Sequence, residues 1–232
     1  MKYLLLWLEG PLQAWGFESK FDLRGTFDFP TMSGVFGLLM SASGDSGSQS
    51  ELLKRMSDAD FTAVQFHDPT QENTPSLCDY HMVGSGYDKS NKREALHILR
   101  TRDGKVAVGG GAKQTYRYYL QNKKFGVIVG FPGDLAEYFA AALESPRFDL
   151  YLGRKCCIPT DFIYRGIFAD KSAAQTEALK IAAEKSLVPK NCFVSADPEQ
   201  EDSFFLYDVP LSFGEVKSYA DRCVAVVPFT VE

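Results

Sequence analysis

Tyr80 and His81 stand side by side in a stretch crowded with cations, and any chemistry this chain performs would begin there. A histidine among lysines and arginines can serve as general base on a ribose 2′-hydroxyl, while a cation such as Lys113 stabilises the phosphorane that forms. The same residues can instead bind RNA without reacting, a ring stacking on a base and the imidazole hydrogen-bonding. The other two histidines, His67 and His97, are not within reach of His81 by sequence. The pair therefore reads first as a binding element and second as a catalytic one.

Other chemistries find less support. No HExxH or His/Cys pair at ligand spacing is present, so no metal is expected. The glycines at 109–111 are not followed by the GK[ST] of a phosphate-binding loop, and there is no GxSxG. No cofactor is expected. Five cysteines (Cys78, Cys156, Cys157, Cys192, Cys223) are an odd number without repeated spacing, which fits reduced thiols in a cytoplasmic protein. The apolar run Tyr3–Leu8 is too short to span a membrane and reads as a buried strand.

The charge distribution is uneven. Residues 79–124 carry ten Lys and Arg against four acids, in a chain whose formal net charge is −5. A basic segment set into an acidic body points to a local polyanion site. Tyr80, His81, Tyr87, Tyr116, Tyr118 and Tyr119 interleave with the cations and offer rings for unpaired bases. A second, weaker signal is Arg24 followed by Thr31-Met32-Ser33-Gly34. A helix start there, with Ser33 and no bulky side chain at Gly34, offers amides to a phosphate, or else is a plain N-cap.

The elements that must position these residues follow from periodicity. Residues 2–8 read as a strand covered on both faces, stopped at Gly10-Pro11. Thr31 or Ser33 caps a helix carrying Val35, Phe36, Leu38, Leu39, Met40 and Ala42. A short helix is predicted near Glu51–Met56, strands over Phe61–His67 and Phe125–Phe131, and a helix whose apolar face holds Leu135, Tyr138, Phe139, Ala142 and Leu143. Asp103-Gly104 reads as a hairpin turn. With 84–122 set aside, the order is strand, helix, strand, strand, helix, strand, that of an α+β, ferredoxin-like βαββαβ fold. Beyond a junction near Gly166–Lys171, a helix over 173–184 and strands over Phe204–Val209 and Val224–Phe229 suggest a smaller β-rich lobe, giving units 1–168 and 169–232.

Four stretches then resemble the CasD family of the type I-E CRISPR surveillance complex Cascade, within the RAMP superfamily. They are Leu8-Glu9-Gly10-Pro11-Leu12-Gln13-Ala14-Trp15-Gly16, Phe29–Leu39, Asp79-Tyr80-His81-Met82-Val83 and Tyr151-Leu152-Gly153-Arg154-Lys155-Cys156-Cys157-Ile158-Pro159. Gln114–Leu120 is similar to the family's return strand. The resemblance implies a palm with an inserted basic β-hairpin thumb at about 84–122. It also implies binding of the CRISPR RNA 5′ handle, and capping of the complex backbone through the thumb. RNA-binding residues expected on this basis are Gln13, Arg24, Thr31, Ser33, Tyr80, His81, Lys113, Gln114, Arg117 and Arg154. The implied partners are CRISPR RNA, a backbone subunit at the thumb, a large subunit near the 5′ end and, indirectly, target DNA. The type I-E member is regarded as a binder, whereas a related type I-C subunit cleaves repeat RNA. The alternative is thus a metal-independent endoribonuclease using His81, Tyr80 and Lys113. Trp15, after its Gly-Pro turn, is expected to be a core anchor, with Gln13 nearer the RNA. A third reading is a protein scaffold whose basic hairpin docks an acidic partner.

Overall fold

The computed structural model describes residues 1–16, 22–72, 74–83, 88, 90–98, 100–106, 113–200 and 202–229. In chain order the elements are β1 (Lys2–Glu9), β2 (Leu12–Gln13), β3 (Trp15–Gly16), β4 (Leu23–Arg24), β5 (Thr26–Phe27), α1 (Met32–Ser43), α2 (Ser50–Met56), β6 (Asp60–His67), β7 (Leu77–Val83), β8 (Lys113–Gln121), β9 (Lys124–Phe131), α3 (Gly133–Glu144), β10 (Tyr164–Phe168), α4 (Lys171–Glu184), β11 (Val188–Ser195), β12 (Ser203–Ser212) and β13 (Ser218–Pro228).

The main sheet has seven strands in the order β10-β1-β9-β6-β11-β13-β12, each antiparallel to its neighbours. β1 shows why its sequence is continuously apolar. Leu4, Leu6 and Leu8 point to the face covered by α1 and α3, while Leu5 and Trp7 point to the face covered by α4. Alternation sends successive side chains to opposite faces, so a strand covered on both sides has no polar position. α4 lies close on its face through Ala174, Ala178 and Ala182, a row of small side chains at four-residue spacing. Asp170 caps it, accepting from the Ala173 amide at 2.8 Å.

α1 starts where the sequence placed it. Thr31 is the N-cap, its Oγ1 accepting from the Gly34 amide at 3.2 Å. A second acceptor arrives from far along the chain. Asp208 on β12 takes the Met32 amide on Oδ2 at 2.7 Å. Arg222 on β13 holds that carboxylate with two bonds, Nε to Oδ1 at 2.7 Å and Nη2 to Oδ2 at 3.0 Å. The guanidinium also lies 5.0 Å from the Phe61 ring centre, and Asp208 is buried. This clamp joins the C-terminal hairpin to the start of α1.

Several expected elements are found with shifted ends. The strands expected at 204–209 and 224–229 extend to 203–212 and 218–228, and β10 falls on the expected junction. β11 was not foreseen, because Pro189 within it argues against a central strand. The structure accommodates the proline at a slip in the ladder between Pro189 and Cys192. Among the described residues β7 joins no strand of the main sheet, and it pairs with β8 from Leu77↔Tyr119 to Val83↔Lys113. Of the insertion beyond them, 84–87, 89, 99 and 107–112 lie outside the described residues, and with them Tyr87 and the triple glycine. The expected Asp103-Gly104 turn is present, with Arg100 and Val106 bridged across it.

Removing Asp208 leaves Arg222 buried without its counter-charge, a change that typically costs about 3–5 kcal/mol. Asp208→Ala is expected to lower the urea midpoint accordingly, and Asp208→Ala with Arg222→Leu to recover part of the loss. Equal stability of wild type and Asp208→Ala in urea titration would contradict the clamp.

Candidate nucleic-acid interface

The start of α1 forms one wall of a cleft of ≈ 560 Å³. Arg24, Ser33, Tyr151, Arg154, Lys217 and Tyr219 contribute to it, from β4, α1, the loop before β10, and β13 with the turn that leads into it. Two backbone approaches shape this cleft. Gly153 sits at φ +94°, and a Cβ there would lie 1.7 Å from the Ala14 carbonyl oxygen, where the two segments are joined by the Ala14 amide donating to Leu152. At Gly34 a Cβ would lie 2.8 Å from the Trp15 ring. Trp15 thus packs directly on the first turn of α1.

Beside the cleft, β7 and β8 form a two-faced arm. Tyr80, Met82, Gln114 and Tyr116 share one face, with the Tyr80 and Tyr116 rings 5.2 Å apart and both side chains exposed. His81, Asp79 and Arg117 share the other, where the imidazole Nε2 is hydrogen-bonded to the Asp79 carboxylate. β4 runs parallel to β8 and places Arg24 in register with Arg117. Since Arg24 also lines the cleft, a path of cations connects arm and cleft. Splayed single strands are held by this combination of rings and cations.

The family model described as CRISPR-associated protein (Cas_Cas5) matches residues 3–224. The chain belongs to this family. It is similar to the CRISPR system Cascade subunit CasD of Escherichia coli (strain K12), 31% identical over 172 residues that cover 71% of this chain and 70% of that protein. Among solved structures it is similar to a chain of a CRISPR RNA-guided surveillance complex, with a TM-score of 0.72 and 26% identity, covering 97% of this chain and 89% of that one. A Cas protein crystal structure matches with a TM-score of 0.61 and 25% identity, covering 99% and 95%. The resemblance to CasD drawn from the four motifs is borne out.

Within this Cas_Cas5 chain, the residues expected at RNA separate into groups. Arg24 and Ser33 line the cleft, and Tyr80, His81, Gln114 and Arg117 lie on the arm; the Lys113 side chain lies outside the described residues. Gln13 is fully buried. Its Nε2 donates to the Leu8 and Lys123 carbonyls at 3.2 and 2.7 Å, and its Oε1 accepts from the Trp15 indole at 3.0 Å, so its side chain is spent on the fold. Trp15 is buried as expected. Thr31 is buried too, and two amides of the α1 start, those of Met32 and Gly34, are already bonded to Asp208 and Thr31. Arg154 reaches the cleft but donates to the Tyr118, Arg24 and Gly25 carbonyls at 3.1, 2.9 and 3.3 Å, over the Tyr119 ring. It fastens β4 and β8 to the loop that carries it.

Tyr80 and His81 are neighbours on a strand and therefore point to opposite faces of the arm. All five cysteines are free; burial, with Cys156 adding to it, pushes the Cys157 thiol up to about 12, and burial pushes Cys192 to about 11, so both stay protonated at neutral pH. Lys217 and Tyr219 in the cleft, and Asp208 and Arg222 at the start of α1, were missed, while Tyr151 was expected only as part of its family motif. Gly214 signals a turn near Lys217, but nothing local tells where that turn docks.

Arg154→Lys keeps the charge but loses the planar fork that spans three carbonyls. Both Arg154→Lys and Arg154→Ala are therefore expected to lower the melting temperature. A lysine variant as stable as wild type in thermal unfolding would reduce Arg154 to a plain charge.

Proposed function

We propose that this chain is the CRISPR RNA-binding subunit of a Cascade-type surveillance complex, holding the 5′ handle of the guide along the arm and cleft. The observation that carries this reading is an arm with the exposed Tyr80 and Tyr116 rings on one face and, on the other, Arg117 in register with Arg24 of the cleft, in a member of the Cas_Cas5 family. The strand order β10-β1-β9-β6, with α1 linking β1 to β6 and α3 linking β9 to β10, supports a ferredoxin-like palm over 1–168. Residues 169–232 are read as a smaller lobe packed on that palm by extending its sheet. The insertion at 84–122 is read as the thumb that caps the complex backbone, with the large subunit near the 5′ end and target DNA reached only through the complex. None of the described helices is long and apolar enough to cross a membrane.

The protein acts in this reading as a binder. The His81–Asp79 contact favours the second reading, an endoribonuclease, because a carboxylate holds an imidazole ready to accept a proton. Against it, Tyr80 faces away from His81.

Arg24→Ala is expected to weaken repeat RNA binding for all sequences and to reduce the slope of log affinity on log salt by about 0.7, the share of one phosphate contact on a single strand. Fluorescence anisotropy over a salt series measures both, and an unchanged slope would remove Arg24 from the interface. Incubating wild type with repeat RNA in EDTA is expected to leave the RNA intact, and His81→Ala to weaken binding only modestly. Metal-free cleavage abolished by His81→Ala would establish the endoribonuclease instead, since a general base contributes about 10²- to 10⁴-fold.

A further inference from the structure

β12 is the last strand of the main sheet and pairs with β13 on one side. Its two halves differ. Beyond Tyr207 the ladder slips twice, between Tyr207 and Val209 and between Pro210 and Ser212, and Pro210 has no amide to offer. Bulges and prolines are devices that keep a sheet edge from pairing with another chain. The half spanning 203–207 has neither, and it pairs without a break from Ser203↔Ala225 to Tyr207↔Asp221. Among the described residues, backbone hydrogen bonds from this half reach only β13 and, from the Ser203 amide, Gln200.

The same half exposes two large rings. Leu206 joins the core on the α1 side, so its neighbours Phe205 and Tyr207 point to the opposite face, the one that α4 covers at β1 and β9. There they are 67% and 62% exposed. Rings at alternate positions beside an open backbone edge are a platform for cross-strand side-chain pairs. The surroundings are acidic. Residues 191–216 hold six acids and no Lys or Arg. Asp208 is paired with Arg222 and Glu215 with Arg102, whereas Asp197, Glu199 and Asp202 are exposed on the approach to β12 and Asp221 is exposed opposite Tyr207.

We propose that the edge at 203–207 takes up an extended segment of another protein, added to the sheet as a further strand, with apolar side chains on Phe205 and Tyr207 and lysines or arginines toward the acids around them. Each feature selects one property of this occupant. The open edge selects an extended backbone, the two rings select apolar side chains at alternate positions, and charge of one sign selects cations. RNA does not fit, since a polyanion meets exposed carboxylates here, in contrast to the cations of the arm formed by β7 and β8. The proposal does not rest on the RNA-binding reading.

The test uses the full-length protein and short synthetic peptides: alternating valine and lysine, alternating valine and glutamate, and the lysine peptide with prolines at two adjacent central positions. The valine-lysine peptide is expected to bind and to protect amides within 203–207 from hydrogen exchange, and the glutamate and proline peptides to do neither. Asp197→Lys with Glu199→Lys and Asp202→Lys is expected to weaken binding about tenfold at low salt, through loss and reversal of several exposed ion pairs. Phe205→Ser is expected to weaken it as well, and thermal melting checks that both variants fold. No binding of the lysine peptide, protection only elsewhere, or equal binding of the glutamate or proline peptide would overturn the proposal. Protection of 203–207 by single-stranded RNA alone would assign the face to nucleic acid, and protection on self-association without peptide would assign it to a second copy of this chain; either would overturn it. Failure of the wild type to bind RNA at all would remove the RNA-binding reading and leave this proposal standing.

Discussion

A buried carboxylate at the start of α1 is the contact on which the rest of the molecule depends. Asp208 accepts from the Met32 amide and is held by Arg222, whose guanidinium lies over Phe61. One group therefore caps a helix, neutralises a buried cation and joins strands more than a hundred residues apart from that helix in sequence. A charge pair in this position is sustained only when its hydrogen bonds are made together, because either member left alone carries the full cost of desolvation. The clamp also places a negative charge at the helix start, the end at which the helix dipole favours one, while Arg24 and Lys217 line the cleft beside it.

Strand alternation does the same for the arm. Placing Tyr80 and Tyr116 on one face and His81, Asp79 and Arg117 on the other divides stacking from charge. A single strand wrapped on such an arm meets rings on one side and polar groups on the other. β4 then ties the arm to the cleft by pairing with β8, and Arg154 locks that pairing through carbonyls of both strands. Arg154 is thus a positioning residue that holds Arg24 where the cleft can use it.

The Cas_Cas5 family assignment and the geometry bear on each other at these points. The motif around Gly10–Gly16 includes Gln13 and Trp15, which are buried and bonded to each other, with Trp15 packed against α1. The Tyr151–Pro159 motif supplies Gly153, whose close approach to Ala14 lets no side chain in, and Arg154. Both motifs therefore include residues that build the cleft, while Arg24 and Lys217 join its lining from positions outside them.

Local signals carried a great deal. The apolar run of β1, the Thr31 cap, the faces of α1 and α3, the Asp103-Gly104 turn and the concentration of charge in 79–124 are all written in short stretches of chain, because periodicity, capping and turn chemistry act over a few residues. The sequence by itself also identified the family, through motifs whose spacing is local. What tertiary structure decided was which polar groups are spent on the fold. Gln13 and Arg154 have residue types suited to RNA, yet their hydrogen bonds go to Lys123 and Tyr118, partners chosen by packing. β11 was hidden because Pro189 weakens a strand locally, while its neighbours β6 and β13 supply the pairing from elsewhere in the chain. The Asp208–Arg222 clamp was equally invisible, since it is assembled from segments that only the folded sheet brings together.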